Sequence, residues 1–420
     1  MDTLQEKANS MINHIIAENM PEKAVINALK NRQFNKKNIY LVAIGKAAWT
    51  MAKAATDYLG DRIVKGIVIT KYDHSMGDIK ALDIYEAGHP IPDEATVFAT
   101  QKVLDLIENL TSEDDVLFLV SGGGSALFEA PVPGVSLDEL SQLTQQMLAS
   151  GADIVEMNMI RKRLSKVKAG RFAQRCAPAS IFAIVLSDVL GDRLDSIASG
   201  PAAPDISTTK EAMAVVKKYH LALTDVQKKY LQIETPKQLD NVESIITGSV
   251  TSLCESAFKS AQNLGFTPYV LTTTLNIQAK EAGRFLAAIA SDTKKGITGF
   301  KPPCAIIAGG ETVVKIVGEG KGGRNQELAL AAASGIKDLD GVLLFSLASD
   351  GTDGPTDAAG GMVDGKTEAQ LKNHNQNIDD ILDNNDAYHG LQAVGGLIMT
   401  GPTGTNVNDV TVILCDEEKT

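Results

Sequence analysis

Short apolar runs alternate with longer amphipathic stretches along the whole chain. In the first half the short runs are Ile39–Ile44, Val64–Thr70, Leu82–Ala87, Val116–Val120 and Ile181–Leu186. Several are apolar throughout and do not alternate. A strand covered on both faces reads this way, so a mostly parallel sheet is expected. Stretches with helical spacing separate the runs, among them Ala47–Leu59, Asp93–Leu110 and Leu137–Ser150. This βαβ rhythm predicts a doubly wound, three-layer domain. Residues 202–241 are polar and lysine-rich without a strand signal, and helices bridging two domains are expected there. Strand candidates then resume at Ser244–Thr247, Pro268–Thr273, Cys304–Ala308, Val313–Val317, Val342–Leu347, Leu397–Thr400 and Val410–Leu414. A boundary near residue 240 follows, giving domains 1–240 and 241–420.

Composition supports two cores. The chain has 420 residues, 44% hydrophobic and 22% charged, which is too long for one ordinary core and typical of globular chains. The net charge is −12. An acidic surface argues against nucleic-acid binding, which needs a basic face. It also means that a site for an anion must gather its own cations. The four cysteines, Cys176, Cys254, Cys304 and Cys415, form no C-x-x-C pair. They read as buried free thiols in a reducing compartment, so a cytoplasmic location is expected and a zinc site is not. The polar, acidic N-terminus resembles no secretory signal. No apolar run approaches the roughly 18 residues a membrane helix needs, so no membrane partner is expected.

Glycines change the picture most. They cluster at the carboxyl ends of the strand candidates: Gly45, Gly88, Gly122 to Gly124, Gly191, Gly309, Gly310 and Gly351. In an open α/β sheet ligands bind outside those ends. Ser121-Gly122-Gly123-Gly124-Ser125 is a strand, a glycine turn and a helix start, in which freed N–H groups and a helix dipole suit a phosphate. It is not a Walker A loop, because that pattern occurs nowhere in the chain; Ser125 as a plain helix cap is the structural alternative. Lys46, in Gly45-Lys46-Ala47-Ala48, would put one cation at the sheet edge. His89 lies in a stiff strand-end loop between Gly88 and Pro90, suited to a ligand contact or to loop packing.

Further motifs extend the list. Residues Arg161 to Arg171 form the densest basic run, preceded by Glu156 and Asn158. Helical spacing would turn Arg161, Ser165 and Lys168 to one side, either as a solvated face or as a stripe facing an anion. Asp188 and Asp192 end one strand, and Asp350 and Asp353 follow another. Such carboxylates suit Mg²⁺ or proton transfer, or serve as caps and turns. Gly318-Glu319-Gly320-Lys321-Gly322-Gly323 formally contains the dinucleotide fingerprint, but it comes late and lacks the acidic partner about 20 residues on. Arg324 behind it reads better as a two-pronged clamp for a carboxylate or phosphate. The polar loop Gly401–Asp409 suits a ligand contact or a hairpin.

Taken in order, GKAA, AGHPIPDE, SGGGSAL, SDVLGD with IASGPAAPD, GGRNQELALA, DGTDGPTDAAG and TGPTGTNVNDV resemble the glycerate 2-kinase family, the class II glycerate kinases with a C-terminal MOFRL domain. The resemblance runs from Gly45 nearly to the C-terminus, leaving 202–241 unmatched. It implies an N-terminal Rossmann-like three-layer domain with a mostly parallel sheet, a C-terminal α/β domain with a mixed sheet, and an active site in the cleft between them. It further implies ATP and Mg²⁺ as cosubstrates, D-glycerate as substrate and 2-phosphoglycerate as product. The family's cleft lysine and arginine fall on Lys46 and Arg324, which join Asp188 as expected catalytic groups. Substrate contacts are expected from Lys46, His89, Asn158, Arg161, Arg324 and Asp350. ATP contacts are expected from Ser121, Gly122, Gly123, Gly124 and Ser125, with Mg²⁺ on Asp188 and Asp192. A homodimer is left open. The competing readings are an NAD(P)-dependent hydroxypyruvate reductase, a label found within the family, and a non-catalytic anion-binding protein.

Overall fold

A computed structural model describes residues 3–36 and 38–417. They form two compact units, Pro21–Thr247 and the segment up to Met20 together with Gly248 onward.

The sheet of the Pro21–Thr247 unit has six strands: β1 (Asn38–Ile44), β2 (Ile63–Lys71), β3 (Leu82–Ala87), β4 (Asp114–Val120), β5 (Ser180–Leu186) and β6 (Val242–Gly248). Their order is β3-β2-β1-β4-β5-β6. β1 pairs in parallel with β2 and β4, β2 with β3, and β4 with β5. Every residue of β4 is buried, which is why its sequence runs apolar without alternation. Beneath the carboxyl end of β4, Phe172 packs against Phe118 in a tilted pair and against Phe128 edge to face, with ring centroids 4.6 and 5.4 Å apart. Phe128 directly follows the short helix Gly124–Leu127, so this aromatic cluster anchors the glycine turn to the core.

The second sheet is mixed. It holds β7 (Thr267–Leu275), β8 (Cys304–Gly310), β9 (Val342–Ala348), β10 (Gly360–Asp364), β11 (Leu397–Ile398) and β12 (Asp409–Cys415), in the order β11-β10-β9-β12-β8-β7. β7 and β8 are parallel, whereas β12 runs antiparallel to both β8 and β9. Asp409 at the start of β12 therefore pairs with Gly310 at the end of β8 and Ala348 at the end of β9. The helix Arg324–Gly335 lies against this sheet with Asn325 to Ala333 all buried. Its alanines, with Gly283 of the helix Ala279–Lys294, allow close helix packing: a Cβ on Gly283 would stand 2.1 Å from the Leu328 carbonyl oxygen.

Four expectations need correction. Residues before Met20 belong with the second unit, because the helix Leu4–Glu18 buries Ala8, Met11, Ile12 and Ile15, one stripe at helical spacing. Asn19 then donates 2.9 Å to Ser256 Oγ on the helix Val250–Asn263. β6 lies beside β5, so the boundary falls at Thr247 and Gly248, past residue 240. The helices Thr209–Lys218 and Asp225–Leu231, expected to bridge two domains, belong to the Pro21–Thr247 unit. Their Ala212, Val215 and Leu231 pack on Leu140, Leu143, Met147 and Ile160 of the same unit. Val313–Val317 is not a strand: only Val313 makes an isolated bridge, to Gln278, and Ile316 is 80% exposed. Among the described residues no helix is long and apolar enough to cross a membrane.

Candidate active site

The strand order of the first unit reverses direction between β1 and β4. At such a switch point the helices that follow the two strands leave toward opposite faces and open a crevice. Both strands end there in loops singled out above. The Ser121 N–H donates to the Ile44 carbonyl (3.0 Å) and the Lys46 N–H to the Gly122 carbonyl (2.9 Å). The Ala47 N–H donates to Ser121 Oγ (3.0 Å). Gly45 has φ +113°, and a Cβ there would stand 2.3 Å from Ser121 Oγ. Only glycine permits both that conformation and that approach.

The turn gathers side chains from the neighbouring strand ends. A Cβ on Gly123 would lie 2.9 Å from the His89 ring and 3.3 Å from Lys46 Cγ, and one on Gly122 would lie 2.4 Å from Asp188 Oδ2. Lys46 after β1, His89 after β3 and Asp188 after β5 thus converge on the glycine turn after β4. Burial and then the Lys46 charge hold the His89 imidazole below its ordinary value, with Lys71 and His74 adding to the effect. Both effects disfavour the protonated ring beside Lys46. Two expected donors have another use: the Ser121 hydroxyl ties the two loops together, and Ser125 Oγ lies 2.7 Å from Ser199 Oγ. The helix after the turn spans only Gly124–Leu127, so its dipole is that of a single turn. Asp192 sits in the loop beyond β5 at φ +54°. Among the described residues, no three His, Cys, Asp or Glu side chains converge to hold a metal.

The basic run takes neither form expected of it. Its helix ends at Arg163, so Arg161, Ser165 and Lys168 do not share a helix face. Lys162, Arg163 and Lys168 are buried. Lys162 pairs with Asp205 (3.3 Å), Arg163 donates to the Ser207 carbonyl (2.8 Å) and Lys168 pairs with Glu129 (2.6 Å). By contrast, Lys46, His89, Asn158 and Arg161 are half-buried, and among the described residues their side chains have no hydrogen-bond or ion-pair partner. A half-buried cation without a partner is the arrangement that an incoming anion completes.

The second unit holds a separate cluster where β8, β9 and β12 meet. The Arg324 fork closes on the chain's own Asp409, Nε to Oδ2 at 2.5 Å and Nη2 to Oδ1 at 3.0 Å, and Nη1 reaches Glu311 at 3.2 Å. The expected two-pronged clamp is therefore occupied from within. Three of the five guanidinium N–H groups are used, and the side chain stays 31% exposed. Burial pushes the Asp409 carboxyl up against the opposing pull of Arg324. Asp353 accepts from the N–H groups of Asn325 (3.2 Å) and Gln326 (2.9 Å), capping the helix that carries Arg324, and burial pushes its carboxyl up to about 6. Asp350 accepts from the Thr352 N–H at 3.0 Å in a local turn.

The Gly318–Gly323 loop is filled by its own chain. Cβ atoms on Gly318 and Gly320 would stand 2.4 and 2.5 Å from Asn384, and the Lys321 N–H donates to Asp386 (2.9 Å). The N–H groups of Gly318, Glu319, Gly320 and Lys321 are thus spent on Asn385, Asn384 and Asp386.

Comparison with known proteins decides the family. Residues 7–232 match the model described as a domain of unknown function, DUF4147, and residues 304–409 match the MOFRL family. D-glycerate 2-kinase of Thermotoga maritima is 51% identical over 411 residues, 98% of each chain. Glycerate 2-kinase of Pyrococcus horikoshii is 39% identical, covering 95% of this chain and 94% of that one. The chain belongs to the glycerate 2-kinase family. The crystal structure of the Thermotoga maritima glycerate kinase superposes with a TM-score of 0.96 over 98% of this chain and 99% of that one, at 51% identity. A protein called putative hydroxypyruvate reductase in Agrobacterium vitis is 35% identical, covering 95% of this chain and 92% of that one.

For this glycerate 2-kinase family member, sequence reasoning missed Glu311, Asn325 and Asp409. Glu311 and Asp409 adjoin strand ends that were singled out, yet their partner Arg324 stands 13 and 85 residues away. Only the antiparallel register of β12 brings them together. In the first unit, replacing Lys46 should release His89: in Lys46→Met the imidazole should titrate higher, closer to the ordinary value of about 6.5, as read from its ring-proton NMR shifts. An unchanged midpoint would place Lys46 away from the ring.

Proposed function

We propose that the protein transfers the γ-phosphoryl group of ATP to the 2-hydroxyl of D-glycerate, giving 2-phosphoglycerate and ADP. The observation that carries the reading is the convergence of Lys46, His89 and Asp188 on the Ser121–Ser125 turn at the switch point of the sheet. Phosphoryl transfer needs little covalent chemistry from the protein. Positioning and charge stabilisation supply most of the rate.

Each part has a place in that scheme. Backbone N–H groups of Gly122 and Gly123 receive phosphate oxygens, since the hydroxyls of Ser121 and Ser125 are engaged and the Gly124 N–H, also expected there, already donates to the Ser121 carbonyl at 3.3 Å. Lys46 supplies one unpaired positive charge to the transferring group or to the glycerate carboxylate, and Arg161 with Asn158 offers a second cationic contact. Neutral His89 donates or accepts a hydrogen bond without adding charge. Asp188 orients the attacking hydroxyl and takes up its proton. The donor set also fits Mg²⁺, which needs only one or two protein carboxylates beside phosphate oxygens and water: Asp188 lies at the turn and Asp192 follows in the same loop. When bound, Mg²⁺ neutralises charge on the phosphates. In the second unit, the two unused N–H groups of Arg324 serve an anion, while Asp409 and Glu311 hold its plane fixed. Asp350, tied into its turn, acts as a hydrogen-bond acceptor and leaves the base role to Asp188.

The reductase reading lacks a cradle in the first place it would look, because Asn384 and Asp386 fill the Gly318–Gly323 loop. A purely binding protein would not need Asp188 against the anion-receiving turn. The four cysteines are free, buried thiols, which suits an enzyme of the reducing cytoplasm. Homodimer formation rests on the family resemblance alone.

Incubation with ATP, Mg²⁺ and D-glycerate should release ADP and 2-phosphoglycerate in equal amounts. ADP no faster than in a blank without glycerate sinks the proposal, and 3-phosphoglycerate as product overturns the regiochemistry. Lys46→Ala and Arg324→Ala should each lower kcat/KM by about 100-fold or more, the scale of a lost charge stabiliser, with far-UV circular dichroism unchanged. Activity near the parent level in either removes that residue from the scheme. Gly122→Ala places a methyl where Asp188 Oδ2 now lies and on the face of the turn. It should lower kcat/KM for ATP by about 100-fold, as misplacements near 1 Å do, and weaken ATP binding in calorimetry while the fold survives.

A further inference from the structure

The glycine turn is held from its buried side by groups that the reaction scheme does not use. Lys168 is fully buried. Its Nζ donates to Glu129 Oε2 at 2.6 Å and to the Ser125 carbonyl at 2.6 Å. Glu129 is itself buried, and its second oxygen has no hydrogen-bond partner among the described residues. Ser125 is gripped a second time, hydroxyl to hydroxyl, by Ser199 at 2.7 Å. Ser199 belongs to a left-handed stretch, with Ala198 at φ +49°, Ser199 at +62° and Gly200 at +67°. The N–H groups of Ala169 and Gly170, next to Lys168, bond to the carbonyls of Ser199 (3.0 Å) and Gly200 (2.7 Å). The Ala198 methyl stands 2.9 Å from the position a Cβ on Gly124 would take.

Stability does not explain this arrangement. Taking a lysine and a glutamate out of water costs about as much as their pairing returns, and apolar residues of the same volume commonly serve the fold as well or better. Burial works against the charge here, pushing the Lys168 ammonium down to about 8, with Glu129 opposing that push and the Arg161 charge adding to it. What an apolar pair cannot do is grip a carbonyl. A charged donor makes a hydrogen bond about twice as strong as a neutral one, and this one closes on the last residue of the Ser121–Ser125 turn. The carbonyl it grips belongs to Ser125, at the end of a turn whose three central residues are glycines without side chains to hold it in shape; the two serines are tied to the Ala47 N–H and to Ser199.

We infer that Lys168, with Glu129 and Ser199, is a positioning residue for nucleotide binding: it holds the Ser121–Ser125 turn in the shape that receives phosphate oxygens. The inference rests on the reading of that turn as the triphosphate site. Lys168 touches no substrate atom; it acts through the Ser125 carbonyl.

The test replaces the ion pair as a unit. Lys168→Met alone strands Glu129 in the core and is expected to destabilise the fold, so the informative variant is Lys168→Met with Glu129→Leu. It should melt close to the parent. Its KM for ATP should rise about tenfold, the loss of one hydrogen bond to a charged group, while the KM for D-glycerate stays within about twofold of the parent. A folded double variant with the parent's ATP KM overturns the inference. So does one in which both KM values rise together, because that is what general loosening would do. Should the double variant fail to fold, Ser199→Ala removes only the second grip and should raise the ATP KM about threefold, on the scale of one neutral hydrogen bond; an unchanged value overturns the inference as well. Gly122→Ala separates the two levels. If it binds ATP as the parent does, the reading of the turn fails. If it loses ATP while the double variant does not, only the role of Lys168 fails.

Discussion

Backbone closes the gap between the carboxyl ends of β1 and β4, and the first unit's site depends on that closure. Ser121 and Lys46 exchange N–H···O=C bonds with Ile44 and Gly122 across it, and a Cβ at Gly45 would strike Ser121. The small Ser121 side chain enters the gap, its Oγ accepting from the Ala47 N–H, and the rim has room for side chains from elsewhere. Lys46, His89 and Asp188 reach the turn from three different strands for this reason. Parallel strands place all their carboxyl ends on one side, so residues up to 142 positions apart (188 minus 46) meet at one turn. The three central glycines leave the turn with little support of its own, and the buried Lys168, Glu129 and Ser199 make good the deficit.

Charge is distributed by a consistent rule in both units. Cations in the interior are matched: Lys162 with Asp205, Lys168 with Glu129, Arg324 with Asp409. A buried charge left alone would cost several kcal/mol, on the order of the 3–5 kcal/mol lost when one partner of a buried pair is removed. Lys46 and Arg161 depart from the rule, since they are partly withdrawn from water and lack a partner among the described residues. In a chain of net charge −12 acidic partners are plentiful, yet these cations, like Lys71 at the end of β2, stay available for charge from outside, as the proposed function asks. Neutral His89 fits this picture, because a protonated ring beside Lys46 would add repulsion that burial makes worse.

Most of the architecture could be read from the apolar runs, because strands covered on both faces have nowhere to place polar residues. β4, β8, β9 and β12 are wholly buried, and each was visible. Direction was not visible in the same signal: β12 is as apolar as β4 yet runs antiparallel to both neighbours. β10 escaped because Gly360-Gly361-Met362-Val363-Asp364 lacks a β-branched run, its pairing being supplied by β9. Val313–Val317 misled in the opposite sense, with β-branched residues and no strand to pair with. Strand formation is a property of the pair. Of the site, single loops were legible, since glycines and charged residues at strand ends are local features. What each charge contacts was not. Arg324 read as a clamp for a ligand, and nothing local shows that Asp409, 85 residues on, already fills the fork.

The two glycine-rich loops show how little a pattern of glycines says without its surroundings. Gly318–Gly323 carries the formal dinucleotide spacing, yet each glycine there makes room for the chain itself: Asn384 beside Gly318 and Gly320, Asp353 beside Gly323. Ser121–Ser125 carries no named fingerprint, yet its glycines make room for the side chains of Asp188, His89 and Lys46. In one loop the missing side chains permit packing, and in the other they permit access. The distinction lies in what occupies the space a Cβ would take. That space is set by the strand order, which puts Lys46, His89 and Asp188 around the Ser121–Ser125 turn. The proposed phosphate site in the first unit therefore rests on topology acting on a glycine turn, whereas the spacing of the glycines alone points to the other loop.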